Sequence, residues 1–417
     1  MRSRWSDGEA GAAIERWAAA GEDLALRVYT SRLIGAEPDL VLHGGGNTSV
    51  KSTFADLLGE PVSGIFVKGS GWDLAAIEPQ GLPGMHLEPL RRLRALPALA
   101  DEEMVNQLRT RLFDAGSPTP SVETLLHAFL PAKFIDHSHA DAILALTNRP
   151  DAETAVRQAL GPGLPLVPYV MPGFALAKYA AEIAEAHPEA IGLVLLKHGL
   201  FTWGETARES YERHVEAVDR VERWLAGRRT RPLRIERPGD RDERTGRDER
   251  EAAAARAAMI APILRGRLAE KTGDADRPFR RLVLEWRASD EILDVVNAAE
   301  LAEIADSNPL TPDHVIRTKP RPLVIQPPAP SDAEGWAERI AEAIDGFARA
   351  YRAYVAAGIA ARGEKTALDA MPRVILIPGA GLFTAGPSRK DARIAADIAE
   401  HTLRTKRLLW ETGAAYE

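Results

Sequence analysis

Two histidines stand two residues apart, His137 and His139, in the stretch FIDHSHADAIL. On a strand, positions i and i+2 point to the same face, so both imidazoles can reach one ion. A third nitrogen would complete a three-ligand set and leave coordination positions open, as catalytic zinc requires. His198 in LLKHGLFTWG is the best third ligand, because it follows an apolar run where a chain leaves a sheet. H-x-H alone fits ordinary core or surface histidines equally well. The second strand-end histidine and the absence of cysteine turn the reading toward a metal. Glu123, in TPSVETLLHAF, is a carboxylate that could move a proton beside that metal. A plainer role for a glutamate in a first helical turn is to complement the helix dipole. His127 lies four residues on, on the same face, and reads as packing around the site.

A second group of residues suits an anion. VLHGGGNTSVK places Gly44, Gly45 and Gly46 before Asn47, Thr48 and Ser49, and VKGSGWDL supplies Lys68, Gly69, Ser70 and Gly71. Glycines permit positive φ and close backbone approach, and amides of such loops can line an anion site. Two glycine-and-hydroxyl loops with lysines beside them can hold a phosphate. The plain alternative is two tight turns between strands, and neither loop is a G-x-x-x-x-G-K-[ST] phosphate loop.

Strands and helices must bring these residues together. The pattern predicts helices over 23–35, 104–113, 121–130 and 206–225, strands over 64–68 and 191–196, a strand–loop–strand over 39–51, and a strand passing into a helix over 134–147. Strands interspersed with helices imply an α/β sheet flanked by helices. Residues 227–251 are dense in Arg, Asp and Glu and nearly free of apolar residues, as in a solvated linker. The expected organisation is therefore a first domain over 1–226, a charged linker over 227–256 and a smaller α/β domain over 257–417. Strands over 282–286, 323–325 and 374–377, with helices over 290–305, 333–357 and 388–401, predict a small parallel sheet. Gly379 to Gly386, GAGLFTAG, reads as a strand-to-helix turn, because its spacing is not that of a dinucleotide loop. Asp313, His314, Arg317 and Lys319 form a polar, basic cluster that reads as solvated loop residues, with contact to the candidate site or to an anion as the alternative, and no internal repeat stands out.

Composition narrows the function. The 417 residues exceed one typical core, which implies two domains. With 45% hydrophobic residues, 27% charged residues and a net charge of −7, the chain reads as globular and as neither a nucleic-acid nor an acidic-membrane binder. The absence of cysteine excludes disulfides and thiolate metal sites. The N-terminal segment lacks an apolar signal region and no apolar run spans a bilayer, so the expected compartment is the cytoplasm.

The order GGGNTSVK, VKGSG, PSVET, HSH and KHGLFTWG, over about residues 24–226, resembles the class II aldolase/adducin family. The resemblance implies a three-layer αβα domain, usually assembled as a tetramer with active sites between subunits, and cleavage of sugar phosphates. It implies zinc or another divalent transition metal on His137, His139 and His198, and Glu123 as catalytic acid/base. Gly45, Gly46, Asn47, Lys68, Ser70, Gly71 and Ser121 match its phosphate-binding region. Tyr169 matches the tyrosine that protonates the aldehyde oxygen from a neighbouring subunit, with packing beside Pro168 and Pro172 as the alternative. One departure is Val122, where the family motif often has a second serine. The region after the linker is similar to the middle of bifunctional rhamnulose-phosphate aldolase/alcohol dehydrogenases. The resemblance thus implies a ketose 1-phosphate aldolase. Epimerases, dehydratases and decarboxylases share the same three histidines, and a non-catalytic adducin-like protein would lack them.

Overall fold

The computed structural model describes residues 1–56, 58–236, 246–329, 332–363 and 366–417. It divides into two compact units, Met1–Arg228 with Leu310–Pro312, and Arg229–Pro309 with Asp313–Glu417.

The first unit is built on seven strands: β1 (Asn47–Ala55), β2 (Pro61–Val67), β3 (Gly84–His86), β4 (Phe134–Ser138), β5 (Leu166–Val167), β6 (Gly192–Leu195) and β7 (Gly199–Gly204). They form one sheet in the order β3-β2-β1-β4-β7-β6-β5. All neighbours are antiparallel except β5 and β6. Helices cover both faces, and the two-residue period of β4 shows how. Ile135 joins an apolar core with Leu125, Phe129, Phe174, Leu193 and Phe201, which brings in the helices Thr124–Phe129 and Phe174–Ala186. Asp136 points the other way. It accepts hydrogen bonds from Arg27 on the helix Glu22–Gly35 and from Ser210 on the helix Ala207–Ala226, each at 2.5 Å. The domain is thus a three-layer α/β sandwich.

The second unit has a two-stranded ribbon, β8 (Glu270–Lys271) with β9 (Phe279–Arg280). Its main sheet comprises β10 (Val283–Arg287), β11 (Leu323–Val324), β12 (Val374–Ile377) and β13 (Gly381–Gly386) in the order β10-β13-β12-β11. Ile260 and Leu264 of the helix Gly246–Arg267, with Trp336, Ile340 and Ile344 of the helix Ala333–Arg362, bury one side of this sheet. Ile292, Val296, Ala399 and Leu403 pack with Val374, Leu376 and Leu382 in another core.

Several expectations change. Residues 39–46 form turns, and a single strand starts at Asn47. The second sheet is mainly antiparallel, with only β11 and β12 parallel, because GLFTAG is a strand that folds back on β12 and displaces the expected turn. Of the expected charged linker, residues 237–245 lie outside the described residues. Residues 246–256 belong to a helix, whose Ala253, Ala257, Ile260 and Leu264 recur at helical spacing and are buried. His314 and Lys319 are buried rather than solvated; the Lys319 ammonium lies 4.0 Å from the centre of the Tyr351 ring and donates to the Asp369 carbonyl. Among the described residues, no helix is long and apolar enough to cross a membrane.

Candidate metal centre and active site

The antiparallel pairing of β4 with β7 and of β7 with β6 delivers the three histidines. His137 lies on β4 opposite Phe201 of β7, and its ring stacks on that phenylalanine at 4.1 Å between centroids. His139 follows the end of β4. His198 occupies the turn between β6 and β7, after Lys197, whose φ of 56° is unusual for a side-chain-bearing residue. Close approach is required here. A Cβ on Gly199 would stand 2.2 Å from the Ser138 carbonyl oxygen and 3.0 Å from His137 Cε1.

One nitrogen from each of His137, His139 and His198 lies within 4.8 Å of the others. His137 Nδ1 is 3.0 Å from the Leu200 carbonyl, which can only accept, so Nδ1 carries the proton and Nε2 is free to ligate. That Nε2 faces His139 Nε2 at 3.0 Å. Two nitrogens bound to one ion at tetrahedral angles stand roughly 3.3 Å apart. Burial holds His137 well below the usual imidazole range, and the nearby His139 and His198 add to this, so His137 is neutral as a ligand must be. His198 Nδ1 is buried without a hydrogen-bond partner among the described residues. The donor set of three imidazoles fits a divalent transition metal.

Glu123 precedes the helix Thr124–Phe129 and is nearly buried. Its carboxylate lies 3.1 Å from His198 Nε2 and 3.5 Å from His137 Nε2. Burial pushes its pKa up, but the imidazoles of His137, His198 and His139 outweigh this, so the net direction is down. A directional chain of hydrogen bonds reaches the same carboxylate. Asn47 Nδ2 donates to Glu123 Oε2 at 2.6 Å. Asn47 Oδ1 must then accept from His127 Nε2, and His127 Nδ1 accepts from the Ser49 hydroxyl at 2.8 Å. His127 must be neutral for this, and burial lowers its pKa to about 3. Ser49 and His127 as a link to Glu123 escape a reading by sequence proximity. The available signal is that Asn47 and Ser49 are two apart on a strand, while Glu123 and His127 are four apart.

The glycine loops meet each other. Lys68 Nζ donates to the carbonyls of Gly44 at 2.8 Å and Trp72 at 3.0 Å, tying the two loops together. A Cβ on Gly44 would lie 3.7 Å from Gly71 Cα. Of Gly44, Gly45 and Gly46, only Gly46 has positive φ, 59°, and a Cβ there would be 2.7 Å from the His137 carbonyl. The Gly45 amide donates to Leu42 and the Ser70 amide to Thr119. Ser121 Oγ accepts from Asn47 Nδ2 at 3.4 Å and from the Glu123 amide at 3.3 Å. Gly44, Ser70 and Gly71 are exposed. Val122 and Tyr169 are exposed as well, and the Tyr169 hydroxyl lies 3.9 Å from Met171 Sδ. Tyr169 follows the edge strand β5, three strands from β4, which is about 14 Å across a sheet.

Family comparisons agree with this architecture. Residues 26–225 match the class II aldolase and adducin N-terminal domain, and residues 255–413 match the aldolase class II second domain. The N-terminal class II aldolase domain of a conserved protein from Thermoplasma acidophilum is 40% identical, covering 54% of this chain and 99% of that one, with a TM-score of 0.49. The chain belongs to the class II aldolase/adducin family. It is also 33% identical over 382 residues to the uncharacterized oxidoreductase YuxG of Bacillus subtilis (strain 168), covering 89% of this chain and 52% of that protein. The chain therefore spans about half the length of that curated relative. The L-fuculose-1-phosphate aldolase of Thermus thermophilus is 19% identical, over 49% of this chain and 93% of that one, with a TM-score of 0.34.

Proposed function

We propose that the protein is a metal-dependent aldolase that cleaves a ketose 1-phosphate, rhamnulose 1-phosphate-like, into dihydroxyacetone phosphate and an aldehyde such as lactaldehyde. The observation that carries this reading is the convergence of three neutral-capable imidazoles on a buried carboxylate held by Asn47. A divalent ion, zinc first, held by His137, His139 and His198 would supply a Lewis acid for the substrate's ketone and adjacent hydroxyl oxygens.

The chain's own groups do the rest. The bond between carbons 3 and 4 breaks as the hydroxyl on carbon 4 loses its proton and becomes the aldehyde oxygen. In the reverse, condensing direction Glu123, ionised in keeping with its lowered pKa, takes the proton from carbon 3; cleavage reverses that transfer and returns the proton to carbon 3, which keeps the electron pair. Tyr169 gives its phenolic proton to the aldehyde oxygen in the condensing direction and recovers it from the carbon-4 hydroxyl in cleavage; it follows β5, three strands from β4, so we propose that a neighbouring subunit supplies it in a homo-oligomer, with a tetramer expected. Gly46, Ser70, Gly71 and the loop joined by Lys68 surround the phosphate and position the reacting carbons. Gly45 and Asn47 belong to the same wall, with the Asn47 amide turned to Glu123.

The test is a panel of ketose 1-phosphates and their free ketoses offered to metal-loaded protein, with dihydroxyacetone phosphate measured by a coupled assay. Cleavage of a phosphorylated ketose, abolished by a chelator and restored by zinc, is the expected result. Folded, metal-loaded protein that releases no dihydroxyacetone phosphate from any member would sink the proposal.

A further inference from the structure

The motif GLFTAG, Gly381 to Gly386, nearly repeats GLFTWG, Gly199 to Gly204. The two hexapeptides are β13 and β7, and each is the second strand of a hairpin, with β12 and β6 as the first. Each hairpin turn holds a residue at positive φ in the same place, Lys197 at 56° and Gly379 at 72°. Each second strand runs into a helix capped by a hydroxyl, Thr206 before Ala207–Ala226 and Ser388 before Arg389–Glu411. Thr202 Oγ1 donates to the Ser210 carbonyl at 3.2 Å, and Thr384 Oγ1 donates to the Ala392 carbonyl at 2.7 Å.

The correspondence extends to the strand that carries the H-x-H pair. Phe134 pairs with Gly204 and Ser138 with Leu200; Val283 pairs with Gly386 and Arg287 with Leu382. After β4 come the helices Asp141–Thr147 and Ala152–Leu160, and after β10 the helices Asp290–Val296 and Leu301–Ala305. Buried Asn148 and Asn297 end the first helix of each pair, with backbone bonds to Leu144 and Leu293 at 3.0 Å. β5 runs parallel to β6, and β11 runs parallel to β12, each pair linked through a helix, Phe174–Ala186 and Ala333–Arg362. The second unit therefore repeats the first from β4 to the helix after β7. Its main sheet ends at β10 and carries no counterpart of β1, β2 and β3 among the described residues. Sequence periodicity misses the repeat because little beyond the GLFT-x-G stretch is identical and the helix before β12 is far longer than the one before β6.

The aligned register identifies the residues at the ligand positions. Trp286 pairs with Phe383 as His137 pairs with Phe201. Ala288 follows β10 as His139 follows β4, and Ala380 precedes Gly381 as His198 precedes Gly199. A Cβ on Gly199 would meet the Ser138 carbonyl, His137 and His139. A Cβ on Gly381 would meet the Arg287 carbonyl at 2.5 Å, the Ala288 Cβ at 3.2 Å and the Trp286 Nε1 at 3.4 Å. The Trp286 indole donates to the Ala380 carbonyl at 2.8 Å, across the gap that an ion would bridge between His137 and His198.

We infer that the second unit is a degenerate partial copy of the catalytic unit with an erased metal centre at Trp286, Ala288 and Ala380. The second unit then retains the scaffold of β4, β6 and β7 without the histidine centre. This inference rests on reading His137, His139 and His198 as ligands, and the experiment separates the two. Metal content is counted in the full chain, in His137→Ala/His139→Ala, and in both backgrounds after Trp286→His, Ala288→His and Ala380→His. The expected counts per chain are one ion for the unaltered protein, none for the double alanine variant, two for the unaltered protein with the three added histidines, and one for the alanine variant with them. No ion in the unaltered protein would overturn the ligand reading alone. An ion retained by the double alanine variant and lost on Trp286→Ala would overturn the erased site. So would a folded triple-histidine variant that gains no ion. If the triple variant does not fold, Trp286→His/Ala288→His leaves the buried Ala380 untouched and recreates H-x-H. It should bind Cu²⁺ at least tenfold more tightly than its parent, and equal affinity would overturn the inference.

Discussion

Glu123 sits where a proton would be moved, and each of its neighbours makes a separable demand. Glu123→Gln keeps size and most hydrogen bonds but removes the titratable group. It should lower kcat by on the order of 10² to 10⁴ with metal content unchanged; a fully active variant would leave the residue a helix-start role. Asn47 is committed to that carboxylate at 2.6 Å, so Asn47→Ala should lower kcat by roughly tenfold to a hundredfold, not simply raise KM. A rise confined to KM for the phosphorylated sugar would return Asn47 to phosphate binding. Lys51 tests burial itself. Its ammonium donates to the Ala132 carbonyl at 2.6 Å, and burial, followed by the charge of Arg91, lowers its pKa to about 7. Between that value and the unfolded lysine value the unfolded chain binds more protons, so this contribution to stability rises with pH. Urea unfolding from pH 7 to 9.5 should show the protein gaining on Lys51→Met by up to about 1.4 kcal/mol per pH unit. Parallel pH dependences would refute it.

The elements divide their labour by face. On β1, Asn47 and Ser49 point to the chain of bonds that ends at Glu123, while Thr48 bonds Ser31 at 2.7 Å on the opposite face. On β4, His137 and Asp136 divide in the same way. The buried Arg27–Asp136 pair therefore ties a helix to the strand that presents His137, the proposed metal ligand. Such a pair is a weak source of net stability, because desolvation offsets attraction, but removal of one partner leaves an uncompensated charge. Arg27→Met should destabilise the first unit by about 3–5 kcal/mol in chemical denaturation. Arg27→Met/Asp136→Asn should recover much of the loss. A single variant as stable as the parent would show that the pair does not hold the strand.

At the scale of the molecule, Tyr169 follows β5, three strands from the β4 that carries His137, which is why a subunit contact is proposed. Tyr169→Phe and Glu123→Gln chains should each be nearly inactive in cleavage. When the two are denatured, mixed and refolded together, hybrid assemblies contain sites with both native residues, and part of the activity should return. No recovery in confirmed hybrids would place Tyr169 outside the reaction.

The sequence by itself singled out His137, His139, His198 and Glu123, the residues that the structure brings together. H-x-H, a strand-end histidine and a glutamate before an apolar helix are local patterns, and local patterns follow from the period of a strand or helix. It also carried the two-unit organisation, because 417 residues outgrow one core. Only the tertiary structure showed that Asn47, His127 and Ser49 form one chain of bonds on Glu123. Those contacts join residues as much as 80 positions apart, and no period encodes them. Strand direction in the second sheet was equally hidden. A short apolar strand reads the same whether its partner is parallel or antiparallel, and the order of pairing is settled by which hairpins close. The duplicated half was hidden for a related reason: a sheet scaffold tolerates wholesale exchange of side chains while its register persists, so the likeness survives in hydrogen bonds and glycine contacts after it has faded from the letters.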